Sequence, residues 1–364
     1  MYHNKYDRSL LKNKAPSITT FRNYINSLIK SEISNGYNRN ILILGIDGVR
    51  YDLAVKLWNT ASISMMKSVF PPTSSAAWLS SISGLDVNFH GIPGVVFKTK
   101  SCEKPINIFN YRKEIIDLSI ENIFSDAKQL QYIPLSIVGD LEKYNCSWRD
   151  LLLMHSKKVW GHSFYTCHNN SHTFLTPDVI INRIRAAIFK SLEFVSNKTP
   201  GIIWCFIDMD LYVHYFGYDN HVLHFLKLVE MLAGEMTDQN MLVISHSDHG
   251  LVRTNNDTNV EQIISSLQNK YFFDIGGAGR SRWIYPKLNT EKVLFQELKD
   301  NLPASIIVDY SNNFFPDSNL LSERVGKIML VAQQDEFIVP ECYKYDHGSL
   351  TDSELHVPLA KWTP

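Results

Sequence analysis

The sequence SHSDHG at residues 245–250 places two side chains that can bind a metal next to each other. Asp248 offers a carboxylate oxygen and His249 an imidazole nitrogen, both of which are common ligands of divalent ions. They follow the apolar run NMLVI, which is typical of a buried strand, and α/β sheets build their sites at strand ends. Gly250 lets the backbone turn away without a Cβ clash. Taken alone, this pattern is more often a polar turn after a core strand.

Three further segments carry candidate ligands at similar places. Asp47 ends the apolar run ILILGI, and Asp210 and His214 follow the apolar run GIIWCFI. Residues four apart share one face of a helix, so this aspartate and histidine form a two-point ligand set. His347 stands near the end of the chain in the sequence YDHGSL. An isolated aspartate such as Asp47 fits an ordinary turn cap equally well.

The segment FPPTSSAAWLSSISG at residues 70–84 predicts a short helix. Thr73, Ser74 and Ser75 are N-cap candidates, and Gly84 is a suitable C-terminal stop. A hydroxyl at this helix start faces free backbone N–H groups and the positive end of the helix dipole. That position suits a nucleophile attacking an anionic phosphorus ester, and an ordinary N-cap is the alternative.

Carboxylate and imidazole ligands without thiolates favour a pair of divalent ions, Zn²⁺ first and Mn²⁺ as the alternative. Two such ions about 3.5–4 Å apart can stabilise both the attacking and the leaving oxygen in phosphoryl transfer. The five cysteines are scattered and form no CxxC motif, which argues against a disulfide framework and a thiolate zinc site. His162, His168 and His172 lie near Cys167 without an ordered spacing, and we assign them no metal.

Together these segments resemble the alkaline phosphatase superfamily, specifically its type I phosphodiesterase/nucleotide pyrophosphatase branch. The resemblance rests on residues 43–50, 71–92, 210–214, 247–250 and 347–359. It implies an α/β fold with a mainly parallel central sheet flanked by helices on both faces. It also implies a single catalytic domain over residues 1–364, with cap insertions at about 95–180 and 255–340.

The resemblance also implies a ligand set and a nucleophile. One metal ion would be held by Asp210, His214 and His347, and the other by Asp47, Asp248 and His249. Ser74 would be the nucleophile and bridge towards both ions, because its distance to Gly84 matches the branch, and the neighbouring Thr73 is the alternative. His90 belongs to the family pattern as a structural residue.

Two departures from the family pattern matter. Ala77 stands where the branch usually has an asparagine that binds phosphoryl oxygens, so that donor must come from elsewhere. The sulfatase signature is absent at Ser74. We therefore expect a metal-dependent hydrolase of phosphodiester or phosphoanhydride bonds acting through a covalent serine intermediate. A phosphomonoesterase or phosphotransferase on the same scaffold is the first alternative, and a non-catalytic metal- or nucleotide-binding protein is the second.

Composition limits the kinds of molecule that the protein is expected to bind. The 364-residue chain has a formal net charge of −1, which gives no electrostatic case for nucleic acid or an anionic membrane. Residues 1–14 lack the apolar core of a signal peptide, and no stretch approaches the roughly 18 apolar residues of a membrane span. We expect a cytoplasmic protein that acts on a small-molecule phosphoester, with nucleotides among the candidates. The sequence predicts neither the exact substrate nor the oligomeric state.

Overall fold

The computed structural model describes residues 15–113, 115, 120–167, 170–196, 198–316 and 318–364, without the side chains of residues 167 and 170–172. The helices are α1 (Phe21–Ser34), α2 (Tyr51–Leu57), α3 (Ser74–Ser83), α4 (Val87–His90), α5 (Ile123–Gln129), α6 (Ser147–Leu152), α7 (Pro177–Leu192), α8 (Asp210–Phe216), α9 (Asn220–Asp238), α10 (Thr258–Tyr271), α11 (Glu291–Asn301), α12 (Asn319–Arg324) and α13 (Asp352–Leu355). The strands are β1 (Ile41–Ile46), β2 (Ser62–Lys67), β3 (Val96–Thr99), β4 (Cys102–Asn107), β5 (Ile133–Ile137), β6 (Lys157–Val159), β7 (Thr166–Cys167), β8 (Asn170–Phe174), β9 (Gly201–Ile207), β10 (Leu242–His246), β11 (Val252–Arg253), β12 (Asn255–Asn256), β13 (Asp274–Ala278), β14 (Ser281–Tyr285), β15 (Ile306–Tyr310), β16 (Ile328–Ala332), β17 (Glu336–Phe337), β18 (Tyr345–Asp346) and β19 (His356–Trp362).

The larger sheet has seven strands in the order β2-β19-β10-β1-β9-β5-β6. The five strands from β10 to β6 run parallel to one another, and β19 is antiparallel to both β10 and β2. The central strands β1 and β9 are buried along their whole length, as continuous apolar runs in a parallel sheet should be. The predicted mainly parallel sheet is therefore confirmed.

Helices cover both faces of this sheet, because alternate residues of a strand point to opposite sides. Ile41 and Ile43 pack into one core cluster with residues of α1, α3, α5 and α6. Leu42 and Leu44 pack into another, with residues of α2, α7 and α9. The fold class predicted from the sequence, helices on both faces of the sheet, is confirmed.

A second, antiparallel sheet of six strands has the order β15-β16-β14-β13-β3-β4. It combines residues 96–107 with residues 274–332, so parts of both predicted insertions meet in one sheet. The first insertion is not uniform, however, because β5 and β6 pair with the larger sheet. Whether the second sheet acts as a cap stays a prediction.

Gly276 and Gly277 lie within β13, which pairs with β14 in a hairpin. The turn between the two strands begins at Gly279, which has a φ of +51°. A Cβ on Gly276 would lie 2.2 Å from Nε1 of Trp283. Glycine is therefore needed inside this strand because a tryptophan packs against its backbone.

Candidate active site

Three neighbouring strands of the larger sheet bring the predicted ligands to one edge. β1 lies between β9 and β10 and runs parallel to both, so their carboxyl ends lie side by side. Asp47 directly follows β1, Asp210 begins α8 shortly after β9, and Asp248 and His249 follow β10. All four side chains are buried. The sheet topology thus collects residues that are about 200 positions apart in the chain.

Asp47, Asp248 and His249 form one compact group, with one ligand atom from each within 4.8 Å of the others. Nε2 of His249 lies 3.1 Å from Oδ2 of Asp248 and 3.5 Å from Oδ1 of Asp47. The backbone N–H of Gly48 donates to Oδ1 of Asp248 at 3.3 Å. This group contains the same three residues as one of the two predicted ligand sets.

The second predicted set is less simply arranged. Asp210 and His214 lie one turn apart on α8, and the distance between Oδ2 of Asp210 and Nε2 of His214 is 2.9 Å. Nε2 of His347 lies further away, at 4.0 Å from Oδ1 of Asp210. The compact groups here are Asp210 with His249 and His347, and His214 with Asp346 and His347. The two sets adjoin, since the rings of His249 and His347 stack with centroids 3.7 Å apart.

Sequence reasoning missed Asp346, which is buried at this position. Its Oδ1 accepts the backbone N–H of His347 at 2.8 Å and lies 3.8 Å from Nδ1 of His214. The signal that could have found it is the Asp-His pair at 346–347, which repeats the pair at 248–249.

Backbone carbonyls orient two of the imidazoles. Nδ1 of His214 donates to the carbonyl of Tyr345 at 2.8 Å, and Nδ1 of His347 donates to the carbonyl of Pro72 at 2.8 Å. Because a carbonyl only accepts, each Nδ1 carries a proton, which leaves Nε2 as the atom of each neutral ring that can bind a metal. Metal-binding histidines are commonly fixed in this way.

The electrostatics of the site fit bound cations. Oδ1 of Asp210, Oδ2 of Asp248 and Nδ1 of His249 are buried without a hydrogen-bond partner among the described residues. Burial, followed by the charges of Asp248 and Asp210, raises the pKa of Asp47, and burial together with Asp210 raises the pKa of Asp248. Burial opposes protonation of His214, but the Asp210 carboxylate outweighs it and raises the pKa of His214 to about 9. Such orphaned ligand atoms and crowded carboxylates suit divalent ions.

Ser74 is the first residue of α3, and its hydroxyl reaches the ligand group. Oγ lies 3.2 Å from Nε2 of His249 and 3.4 Å from Oδ1 of Asp47. Thr73 occupies the N-cap position, yet its side chain makes no capping hydrogen bond. The hydroxyl of Thr73 is fully buried and lies 3.5 Å from Oγ of Ser75. Ser74 therefore lines the cavity described below, whereas Thr73 does not.

Supporting residues hold the strand ends in place. Trp78, on α3, donates from Nε1 to Oδ2 of Asp47 at 3.0 Å. Ser247 Oγ accepts the N–H of Val49 at 2.8 Å and donates to the carbonyl of His249 at 3.0 Å. A Cβ on Gly250 would lie 2.2 Å from the carbonyl oxygen of Ser353. Glycine is required there because the chain segment before β19 passes directly over it.

The site opens into a cavity of about 470 Å³ between the larger sheet and the β13–β14 hairpin. Phe109, Tyr144 and Tyr343 line it along with the predicted ligands, and the ring of Tyr343 stacks on His214 with centroids 4.1 Å apart. The sequence did not reveal these aromatic residues because they lie on separate segments that share no motif.

The remaining histidines differ in their surroundings. His90 is buried, with Nε2 2.8 Å from Oγ of Ser80 and Nδ1 accepting the N–H of Ile92 at 3.1 Å, which agrees with a structural role. His162 is in none of the candidate metal groups of the described residues. His168 lies outside the described residues, as does the N-terminal segment from which we inferred a cytoplasmic protein. Across the described ranges, no helix is long and apolar enough to cross a membrane.

Comparison with known proteins finds relatives through structure alone. No protein-family model and no curated protein sequence matches the chain. The fold is similar to murine ectonucleotide pyrophosphatase/phosphodiesterase 5, with a TM-score of 0.63 and 15% identity over 90% of this chain and 88% of that one. An inactive form of that protein in complex with AMP aligns with a TM-score of 0.62 at 16% identity, over 88% of this chain and 87% of that one.

A bacterial enzyme is equally similar. Phosphonoacetate hydrolase from Sinorhizobium meliloti 1021, in complex with phosphonoformate, aligns with a TM-score of 0.64 and 16% identity over 89% of this chain and 90% of that one. At such low identity the likeness concerns the fold. The chain therefore shares the fold of these proteins, the alkaline-phosphatase-like α/β fold that its motifs predicted.

Proposed function

We propose that this protein is a metal-dependent hydrolase that cleaves a phosphodiester or phosphoanhydride bond through a covalent intermediate on Ser74. One observation carries the proposal. The Ser74 hydroxyl lies at the start of α3, faces the cavity, and is within 3.4 Å of both Asp47 and His249. A hydroxyl placed beside a carboxylate and an imidazole that both belong to a predicted ligand set has the surroundings of an activated nucleophile.

Two divalent ions fit the residues present, Zn²⁺ first and Mn²⁺ second, because the donors are carboxylates and imidazoles. Asp47, Asp248 and His249 would hold one ion. Asp210, His214 and His347 would hold the other, which requires small side-chain movements because these three do not form one compact group. When bound, the ions supply positive charge that favours the serine alkoxide and polarises the phosphoryl group.

The residues of the chain supply the rest of the chemistry. Ser74 attacks phosphorus, the bond to the leaving oxygen breaks, and water later releases the phosphoryl group from the serine. The start of α3 presents backbone N–H groups where phosphoryl charge develops. Thr73 does not cap these N–H groups, so they can serve in place of the asparagine that Ala77 replaces.

The diester preference rests on the charges around the site. Helix α3 contains no lysine or arginine, so no cation on it is placed to bind a third free phosphoryl oxygen of a monoester. The fold relatives act on or bind related compounds, since one is in complex with AMP and another is a phosphonoacetate hydrolase. A phosphomonoesterase or phosphotransferase is the second candidate.

A substrate panel on metal-loaded protein tests the proposal. We expect aryl phosphodiesters and nucleotide anhydrides to be hydrolysed with a higher kcat/KM than aryl monoesters, and phosphonoacetate serves as a third class. Ser74→Ala should abolish turnover and prevent trapping of a phosphorylated or nucleotidylated protein, while elemental analysis still finds two metal ions. Faster turnover of monoesters would favour the second candidate, and full activity of Ser74→Ala would overturn the covalent step.

A further inference from the structure

The cavity contains one strongly basic side chain that the proposed mechanism does not use. Arg282, on β14, is the single lysine or arginine among the described residues that line it. Three of the four carboxylates in the lining have other partners. Asp47 and Asp210 are predicted metal ligands, and Asp208 forms an ion pair with Lys143. The fourth, Asp346, accepts the N–H of His347 and also acts electrostatically on Arg282.

The guanidinium of Arg282 is held by carbonyl oxygens rather than by a carboxylate. Nη1 donates to the carbonyls of Gly279 and, at 3.0 Å, Ser281, and Nη2 donates to that of Ile338 at 2.7 Å. Three of the five N–H donors of an arginine are thus used, and the remaining two have no acceptor among the described residues. Arg282 forms no ion pair within that part of the chain. Burial lowers the pKa of Arg282, and the charge of Asp346 opposes this shift without a direct ion pair. The two unused N–H donors are thus held in place and available to a ligand.

The position of Arg282 next to the site follows from the hairpin. The N–H of Arg280, the residue directly before β14, donates to the carbonyl of His347 at 2.6 Å, which ties the start of the strand to a predicted metal ligand. Arg282 is the second residue of β14, and it lines the same cavity as Ser74 and the predicted ligands.

We propose that Arg282 binds a second anionic group of the substrate, next to the phosphoryl group that is cleaved. This inference rests on the proposed function and defines its substrate class. The predicted ions would face the phosphoryl group that is cleaved, so a guanidinium elsewhere in the cavity with two unused N–H donors favours a substrate with a further carboxylate or phosphate. Arginine suits both, because its planar fork binds either anion through paired hydrogen bonds.

Three esters with the same leaving group test this inference. Propyl, 2-carboxyethyl and 2-phosphonooxyethyl 4-nitrophenyl phosphate differ in the end of the retained group, which is a methyl, a carboxylate or a phosphate. We expect the wild-type protein to hydrolyse at least one charged ester with a higher kcat/KM than the propyl ester. The charged ester with the higher kcat/KM identifies the anion that the site prefers. Arg282→Gln should raise KM for that ester at least about tenfold while the propyl ester changes less than about twofold, as expected for loss of one charged hydrogen-bonding partner.

Two further variants separate recognition from structure. Arg282→Lys should restore part of the preference, because it keeps the charge. Arg185→Gln removes a guanidinium that pairs with Glu235 on the far helices α7 and α9, and should leave all three esters unchanged. An equal loss on all three esters in Arg282→Gln would instead show that Arg282 only holds the Gly279 turn, and would overturn the inference.

A binding measurement distinguishes this inference from the proposed function. Calorimetry with propylphosphonate and 2-carboxyethylphosphonate needs no turnover, and ethane-1,2-diphosphonate adds the phosphate-like case. If no ester is hydrolysed but the charged phosphonates bind more tightly through Arg282, the proposed function fails and the inference stands. If the esters are hydrolysed with no dependence on their second charge, the inference fails and the proposed function stands.

Discussion

Replacing Asp248 with asparagine should stabilise the metal-free protein and should reduce the stabilisation that added metal supplies. Asp248 is fully buried, its Oδ2 has no hydrogen-bond partner among the described residues, and burial together with Asp210 raises its pKa. An asparagine keeps the shape and can still accept the Gly48 N–H at Oδ1. It removes a charge that, without metal, is surrounded by other carboxylates.

The magnitude follows from the burial. An unsatisfied buried polar group costs about 1–3 kcal/mol. The asparagine Nδ2 would replace Oδ2, which lies 3.1 Å from Nε2 of His249, and it can donate to that nitrogen. Metal-free Asp248→Asn should therefore be more stable than the metal-free wild type by about 1–3 kcal/mol. Unfolding entropy of about 2.1 cal/mol/K per residue over 364 residues makes 1 kcal/mol equivalent to roughly 1.3 °C. The Tm in chelator should therefore rise by about 1–4 °C.

Added metal should act in the opposite direction, because it stabilises the wild type more than Asp248→Asn. At a free ion concentration 100 times its Kd, one site stabilises the wild type by about 2.7 kcal/mol, or roughly 3.5 °C on the same scale. Asp248→Asn should lose most of this increment, because it removes a charged ligand from a dication. Thermal unfolding in chelator and in Zn²⁺, with exposed Asp238→Asn as the control, measures both effects. Equal metal stabilisation of wild type and Asp248→Asn would refute the assignment of Asp248 as a ligand.

Three further outcomes are expected. Ser74→Ala should lower kcat by several orders of magnitude, whereas Thr73→Ala should keep most of the turnover, because the Thr73 hydroxyl makes no capping bond and does not line the cavity; the reverse pattern would make Thr73 the nucleophile. Removal of divalent ions by a chelator should abolish hydrolysis, and Zn²⁺ or Mn²⁺ should restore it; turnover that persists in metal-free protein would contradict the two-metal proposal. His90→Gln should make the free energy of unfolding depend less on pH below pH 6.5. Burial lowers the pKa of His90 from 6.5 to about 3. Its contribution to stability is therefore present above pH 6.5 and is lost as the pH falls towards 3, by about 1.4 kcal/mol per pH unit. Urea unfolding at pH 7, 5 and 4 measures that slope, and parallel pH curves for variant and wild type would show that His90 does not cause it.

The larger sheet could be predicted from the sequence because its strands are continuous apolar runs. Residues 41–46 and 201–207 have no polar side chain, and each run ends at a polar residue that stays buried, Asp47 and Asp208. Parallel strands place their carboxyl ends together, so the neighbourhood of Asp47, Asp210 and Asp248 followed from strand order alone. The helix at 74–83 was also predictable, since prolines precede it and Gly84 ends it in the left-handed conformation.

The second sheet was harder to predict because its pairing is not local. β13 pairs with β3, although about 180 residues separate them in the chain, and no short motif records such a contact. The residues that line the cavity were difficult to predict for the same reason. Arg282 stands in an ordinary strand sequence, and the hairpin geometry together with the tie from Arg280 to His347 brings it beside the site.

The arrangement of the ligands separates rigid from adjustable parts of the site. Asp47 and Asp248 are fixed by Trp78 and by the backbone of Gly48, and their group with His249 is already compact. Asp210, in contrast, lies against His214 at 2.9 Å but 4.0 Å from His347, so the second group must rearrange slightly to share one ion.

Because a ready-made group requires less rearrangement, the ion held by Asp47, Asp248 and His249 should bind first and more tightly. Stepwise Zn²⁺ titration by calorimetry should then resolve two affinities, and Asp248→Asn should remove the tighter one while Asp210→Asn removes the weaker. Loss of the tighter site in Asp210→Asn would reverse this order and show that α8, not the end of β10, organises the centre.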